Sequence, residues 1–260
     1  MTLRRRLRHT RLWQALRPAV WELRRLSHPD GRAIMLNGIC RMRVGPGVNL
    51  SHPTRPRYEP AYFRAFWKAL RPGMTVFDIG ANQGLFAIPA GLRVGHTGRI
   101  YAFEPAPAAQ LVLQEQIRLN HLHRVVHPVA SICGAERGIR ALHVASSAVG
   151  WASAAEAAPG TQSLLLPVVT LDDFARRVSA APDVIKIDAE GMEAEVLQGA
   201  AGLLSSARPP IVFCAVHPGC GEAIAELARR HRYAVHRPGG KPVSQLAPGE
   251  YILVPSGSTL

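Results

Sequence analysis

The sequence predicts a doubly wound α/β domain on a mostly parallel, seven-stranded sheet, with a short basic extension at its N-terminus. Three observations predict this. An apolar strand beginning at Val76 enters a glycine-bounded turn, Gly80-Ala81-Asn82-Gln83-Gly84, that opens a helix. Beyond it, short apolar runs alternate with helical stretches to the end of the chain. The excess positive charge is confined to the residues before that strand.

With 260 residues, 47% of them apolar, the chain has room for one domain of ordinary size and an appendage. The expected division is a basic arm with a small β hairpin over 1–57 and the domain proper over 58–260. Residues 1–70 carry 15 Lys and Arg against Glu22, Asp30 and Glu59, which is +12 of the chain's +13, and leave 16 basic and 15 acidic residues for the rest. The pI of 10.7 is therefore a property of the arm, and nucleic acid is an unexpected partner. From Met1 to Leu26, arginines are interspersed with Leu3, Leu7, Leu12, Trp13, Leu16, Val20, Trp21 and Leu23, and Pro18 divides the stretch into two short amphipathic segments. Arg11 and Arg17 interrupt any secretory core. Three readings stay open: a solvated arm, an organelle transit peptide, or attachment through residues 1–26 to an anionic membrane face or a polyanionic substrate. Cys40, Cys133, Cys214 and Cys220 form no C-x-x-C pair, so reduced thiols and a cytoplasmic setting are expected, with peripheral membrane contact through the arm. Cys214, His217 and Cys220 lack a fourth ligand, and no metal is expected.

The elements follow in order. Ala33 to Val44 reads as a hairpin about Asn37-Gly38, the strongest two-residue turn signal in the chain. Tyr58 to Leu70 reads as a helix, with Tyr62, Phe63, Phe66, Trp67 and Leu70 on one face and Arg71-Pro72-Gly73 as its stop. The first strand ends at Asp78, and a helix is expected from Asn82 to about Leu92. Arg99 to Phe103 is the second strand, Ala106 to Leu122 a helix, Val125 to Ala130 the third strand, Asp183 to Asp188 the fourth and Ile211 to Val216 the fifth. Tyr233 to His236 and Tyr251 to Val254 close the sheet edge. Between strands three and four, Arg140 to Val144 and Leu164 to Val169 read as two extra strands. Their connection, Ala145 to Ser163, is rich in Ala, Ser and Gly with Trp151 as its one large side chain, which suits a mobile lid.

The turn selects its ligand. A dinucleotide turn wants G-x-G-x-x-G, and here Asn82 replaces the second glycine. Asp78 would repel a pyrophosphate but suits a ligand with a cationic amino-acid end, such as S-adenosylmethionine. Gly80 and Gly84 let the backbone bend and approach that ligand. Glu104 ends the second strand 24 positions after Gly80, close to the interval of about 20 at which an acidic residue takes ribose hydroxyls.

Val76 to Gly84, Ala102 to Pro105, Thr170 to Phe174 and Ile185 to Leu197 together resemble the FkbM family of S-adenosylmethionine-dependent methyltransferases. The resemblance covers roughly Tyr58 to Val216, and its most specific part is Lys186-Ile187-Asp188-Ala189-Glu190-Gly191-Met192-Glu193. It implies the Rossmann-like class I methyltransferase fold, S-adenosylmethionine as cofactor, and O-methylation of a hydroxyl on a small molecule, sugar or glycan. Two alternatives stand beside it, a catalytically silent cofactor-binding module and, less favoured, a nucleic-acid methyltransferase.

Ligands of open α/β sheets sit beyond the carboxyl ends of the strands. The expected cofactor residues are thus Asp78, Gly80, Asn82, Gly84, Glu104 and Asp188; Asp188 could instead serve the acceptor or cap the next helix. Glu190 is read as orienting acceptor hydroxyls, and Glu193 as serving a helix N-terminus. Lys186 is expected in a buried ion pair with Asp172, Asp173 or Glu190. Glu59, in a Tyr-Glu pair that the resemblance places near the cofactor's amino group, could equally complement the helix dipole. His217, with an intrinsic pKa of about 6.5, is the candidate general base. Cys214 stands where the family often carries Glu.

Overall fold

A computed structural model describes residues 23, 26–27, 29–45, 48, 58–145, 152–153, 161–208 and 210–258. The two amphipathic segments expected before Leu26 and the lid around Trp151 lie largely outside the described residues.

The chain opens on a hairpin of β1 (Arg32–Leu36) and β2 (Cys40–Val44), whose turn holds Asn37 at φ 52 and Gly38 at φ 70. Positive φ at both central residues matches the right-handed twist of the strands, which is why Asn-Gly favours this turn. Its buried face, Ile34, Leu36, Cys40, Met42 and Val44, shares one hydrophobic cluster with Tyr62, Phe63 and Phe66 of α1 (Pro60–Ala69). The hairpin is therefore part of the domain body, whereas the expected division groups it with the arm.

The main sheet is, from edge to edge, β5 (Val126–Val129), β4 (Arg99–Phe103), β3 (Thr75–Ile79), β10 (Val184–Ile187), β11 (Ile211–Val216), β13 (Gly249–Pro255) and β12 (Tyr233–His236). Only β13 runs against its neighbours. The expected doubly wound, mostly parallel seven-stranded sheet is thus the architecture observed. The chain builds outward from β3 to β5 and then returns to place β10 on the other side of β3, so strand order reverses between β3 and β10 and leaves a crevice beyond their carboxyl ends.

Helices cover both faces: α1, α2 (Ala87–Val94), α3 (Pro107–Leu119), α4 (Leu171–Arg177), α5 (Glu193–Gln198), α6 (Ala201–Leu204) and α7 (Gly221–Arg230). Helix α2 starts five residues later than expected. Gly80, Asn82 and Gly84 sit at φ 72, 47 and 84, a left-handed conformation that a right-handed helix cannot contain. Thr170 caps α4, its Oγ1 accepting from the Asp173 amide at 3.2 Å, and the Asp172 carboxylate accepts from Gly202 and Leu203 at the start of α6. Asp172, expected as a partner of Lys186, is thus engaged at α6, and the carboxylate of Asp173, another expected partner, is tied to Arg137, Arg176 and Arg177.

The excursion between the third and fourth strands forms a second sheet of order β6-β9-β7-β8, from β6 (Ile132–Cys133), β7 (Gly138–Ala145), β8 (Ala152–Ser153) and β9 (Thr161–Val169). Two aromatic clusters fill opposite faces of the main sheet: Tyr62, Phe66, Phe86 and Phe213 on one, Phe77, Tyr101, Phe103 and Phe174 on the other.

Candidate active site

A cavity of about 460 Å³ lies in the crevice beyond β3, β4 and β10, within the roughly 300–1,000 Å³ typical of cofactor pockets. Its walls come from the turn after β3, the end of β4, the second sheet and the loop after β10. Gly80, Asn82, Glu104, Lys186, Asp188 and Glu190 all face it. Gly84, Asp78 and His217 do not line it; Gly84 packs under the turn, where a Cβ would come within 2.9 Å of Leu113.

Gly80 is required by close approach. A Cβ there would lie 1.8 Å from the Asp188 carbonyl oxygen, so the chain after β3 and the chain after β10 can touch only through a glycine. The Gly80 and Ala81 amides both donate to the Phe103 carbonyl at 2.9 Å, which fixes the turn against β4. Glu104 completes the link. One carboxylate oxygen accepts from the Asn82 amide and the other from the Ala106 amide, each at 2.8 Å. Each oxygen keeps a lone pair, and the carboxylate faces the cavity in a fixed orientation. Glu59, Asn82 and Glu190 are non-glycine residues at φ 43, 47 and 49 around this site, a strain of order 1–3 kcal/mol each that functional sites characteristically hold.

The parallel register places Lys186 beside Asp78 on adjacent strands. The Lys186 ammonium lies 3.6 Å from both the Asp78 and the Asp188 carboxylates, donates to the Gly80 carbonyl at 3.2 Å and sits 5.2 Å from the centre of the Phe86 ring. Burial pulls this ammonium down, but Asp78 and Asp188 outweigh it and hold its pKa above the ordinary lysine value. Burial also raises the Asp78 carboxyl, with Lys186 opposing. The expected buried ion pair is therefore present with different partners: not Asp172, Asp173 or Glu190, but the two strand-end aspartates. Asp78 acts on the cavity through Lys186, since its own side chain is fully buried behind it. Asp188 is no helix cap either; α5 begins after Met192.

Beyond Asp188, three carboxylates surround His217. Its Nδ1 lies 2.9 Å from Glu193, and its Nε2 lies 3.3 Å from Glu190 and 3.9 Å from Asp188. Hydrogen bonds to Glu190 and Glu193 push the imidazole pKa up to about 10. His217 is thus an imidazolium at neutral pH, and the expectation of a base poised near 6.5 needs correction in this arrangement. Glu193 does more than serve a helix end. Its Oε1 also accepts from the Ala189 and Gly191 amides, at 3.1 and 3.0 Å, and although burial would raise its pKa, His217 and the Gly191 amide hold it below the ordinary value. Asp188, Glu190 and His217 present ligand atoms within 4.8 Å of one another and could together hold a metal ion, which would have to displace the imidazolium proton.

Cys214 is buried in β11 between Ile187 and Tyr251 of the flanking strands, and burial raises its thiol pKa well above the ordinary value. It offers the site no charge. Two further carboxyls approach the Asp188 end. Burial pushes Glu59 up to about 7, against Lys186 and with Asp188, and burial with Asp188 also raises Glu250.

Sequence reasoning misses the opposite wall. Ser131, Ile132, Cys133, Leu142 and Met192 line it, and the Ser131 hydroxyl is buried with no hydrogen-bond partner among the described residues. A two-residue strand is too short to show a period, so β6 leaves no signal. Tyr58 lines the cavity near Phe86; composition and periodicity give it only as the start of a helix, and its link to the cofactor comes from the Tyr-Glu pair of the resemblance.

Comparison with known proteins bears on this geometry. The family model described as the methyltransferase FkbM domain matches residues 78–235. No curated protein matches the sequence. Among solved structures, a precorrin-6y C5,15-methyltransferase from Geobacter metallireducens GS-15 is similar at a TM-score of 0.46 and 17% identity, over 79% of this chain and 91% of that one. An S-adenosylmethionine-dependent O-methyltransferase from Thermotoga maritima is similar at 0.45 and 10%, over 79% and 67%. An rRNA methylase from Streptococcus thermophilus is similar at 0.43 and 9%, over 74% and 90%.

Proposed function

The chain belongs to the FkbM methyltransferase family, and from that premise we propose that it uses S-adenosylmethionine to methylate a hydroxyl of a small molecule, sugar or glycan. The observation that carries the cofactor is the fixed Glu104 carboxylate in a cavity whose far wall ends in the Ser131 hydroxyl, unpartnered among the described residues. Glu104 would hold the ribose. The apolar wall of Ala106, Ala109, Ile132, Leu142 and Met192 suits a flat base, with Ser131 free to bond its edge. The Lys186–Asp188 end suits the charged amino-acid portion, Lys186 for its carboxylate and Asp188 for its ammonium.

Bound there, the cofactor would supply a methyl group on a sulfonium. The chain's contribution is then orientation and proton handling. An acceptor hydroxyl entering beside Asp188 would take the place of Glu190 at His217 Nε2 and remove the contact that most raises the imidazole. Glu193 keeps a proton on Nδ1 and the ring in place, as a buried carboxylate behind a catalytic imidazole does. Once Nε2 has released its own proton to solvent, it can receive that of the hydroxyl.

Calorimetry tests the cofactor assignment: the wild type should bind S-adenosylmethionine, and Gly80→Val or Glu104→Ala should each weaken it at least about tenfold. Binding of NAD without binding of S-adenosylmethionine would overturn the reading. A silent binding module is the alternative that Cys214 favours, and formation of S-adenosylhomocysteine with any hydroxylated acceptor excludes it.

A further inference from the structure

Tyr58 lines the cavity from the segment before α1, with Glu59 beside it close enough to feel Lys186 and Asp188, and what holds that segment is a side chain in the N-terminal hairpin. Asn37 donates through Nδ2 to the Tyr58 carbonyl and accepts at Oδ1 from the Tyr58 amide, both at 2.8 Å. The amide side chain thus pairs with both main-chain groups of one residue 21 positions away, as a neighbouring strand would. Asn37 can do this because it occupies the left-handed corner of its turn, at φ 52, a conformation asparagine tolerates and few other side chains do. The hairpin beneath is anchored in turn. The Arg43 amide donates to Asn120 at the end of α3, Asn120 donates back to the Arg43 carbonyl, and Arg118 donates to the Pro29 carbonyl, all at 2.8 Å.

The clamped residue points at one end of the cavity. The Tyr58 ring lies 6.0 Å from Phe86, the ring beneath the Lys186 ammonium, and the charges that bear on its hydroxyl are Glu59, Lys186 and Asp188. Glu59 follows at φ 43 with its side chain making no cap to α1, so its conformation is unexplained by the helix it precedes.

We propose that Asn37 is a positioning residue: by fixing the main chain of Tyr58 it aims Tyr58 and Glu59 at the amino-acid end of the bound cofactor, making the hairpin part of the binding site. The inference rests on the S-adenosylmethionine reading of the cavity. It distinguishes two ligands that share adenosine and differ at that end, because 5′-methylthioadenosine lacks the amino-acid portion and has nothing for the clamped segment to hold.

The test is calorimetric titration of wild type and Asn37→Gly with S-adenosylmethionine and with 5′-methylthioadenosine, beside thermal melting of each protein. Glycine accepts the positive φ, so the substitution removes the clamp while keeping the turn. Asn37→Gly should weaken S-adenosylmethionine about tenfold and leave 5′-methylthioadenosine within about twofold. In a double-mutant cycle, Asn37→Gly should add little to Tyr58→Ala, since both act through one segment. Should Asn37→Gly fail to fold, Asn37→Asp, which keeps the oxygen that accepts from Tyr58, carries the same comparison. Equal weakening of both ligands, or full retention of both, overturns the proposal. A wild type that binds neither ligand refutes the cofactor reading instead, and so the two failures are distinguishable.

Discussion

Replacing Lys186 by Met removes the one cation between two aspartates while keeping an apolar side chain of similar length. At 3.6 Å from each carboxylate, the ammonium has a gross attraction of about 5 kcal/mol per pair at an effective dielectric constant of about 20. Much of that offsets desolvation, so the pair's net worth is smaller. Truncating one partner is another matter, because Asp78 is left fully buried without a cation, and such losses run to about 3–5 kcal/mol. For a domain of this size that corresponds to a fall in Tm of roughly 6–20 °C. Denaturant unfolding followed by tryptophan fluorescence measures it. The pH dependence identifies the cause. Burial already raises Asp78 in the wild type with Lys186 opposing; without Lys186 it must rise further. A carboxyl raised in the folded state destabilises above its folded pKa, and the deficit shrinks as pH falls through that value toward the unfolded one near 3.8. Lys186→Met should therefore be most impaired relative to wild type at neutral pH and recover part of the difference on acidification. Lys186→Met with Asp78→Asn should recover it at pH 7 as well. A single variant within about 1 kcal/mol of wild type at pH 7, or a deficit that grows on acidification, would refute the reasoning.

Two other outcomes are expected. Glu193→Gln removes a bond that raises His217, so the imidazole, titrated by NMR, should fall from about 10 toward its ordinary value of 6.5; a value that stays near 10 would assign the whole effect to Glu190 and Asp188. The sign for stability follows: a raised folded pKa contributes fully below 6.5 and is lost as pH rises through about 10, and the variant should show a flatter stability profile across that window. Deleting residues 1–26 should leave cofactor affinity unchanged and reduce adsorption to anionic vesicles, with the residual attraction weakening as salt rises. Equal partitioning of both forms at low salt would give the arm another purpose.

How far the sequence discloses this site depends on the distance over which each feature is encoded. The Gly80 turn, Glu104 and the sheet can be read directly, because a turn and an apolar run are local, and their order along the chain carries the topology. What cannot be read is pairing. Lys186 shows in sequence that it needs a carboxylate, since it lies in a strand buried on both faces. Which carboxylate it meets depends on β10 lying beside β3, a register in which Asp78 is its direct neighbour. Nearer acids are the natural expectation, and each proves to be engaged elsewhere, Asp172 with α6, Asp173 with three arginines and Glu190 with His217. The same applies to His217. Its intrinsic pKa nominates it as a base, but three carboxylates drawn from the loop and helix after β10 convert it to a cation. Asn37 is the extreme case. As a turn residue it is fully explained by its own hairpin, and nothing in the spacing connects it with Tyr58. Yet the feature that makes Asn a good turn former, a short amide that tolerates positive φ, also frees its side chain to clamp a distant segment. Local sequence logic therefore accounts for the residue and conceals its second role, and the parts of this site that escape reading are those already satisfied by a nearer explanation.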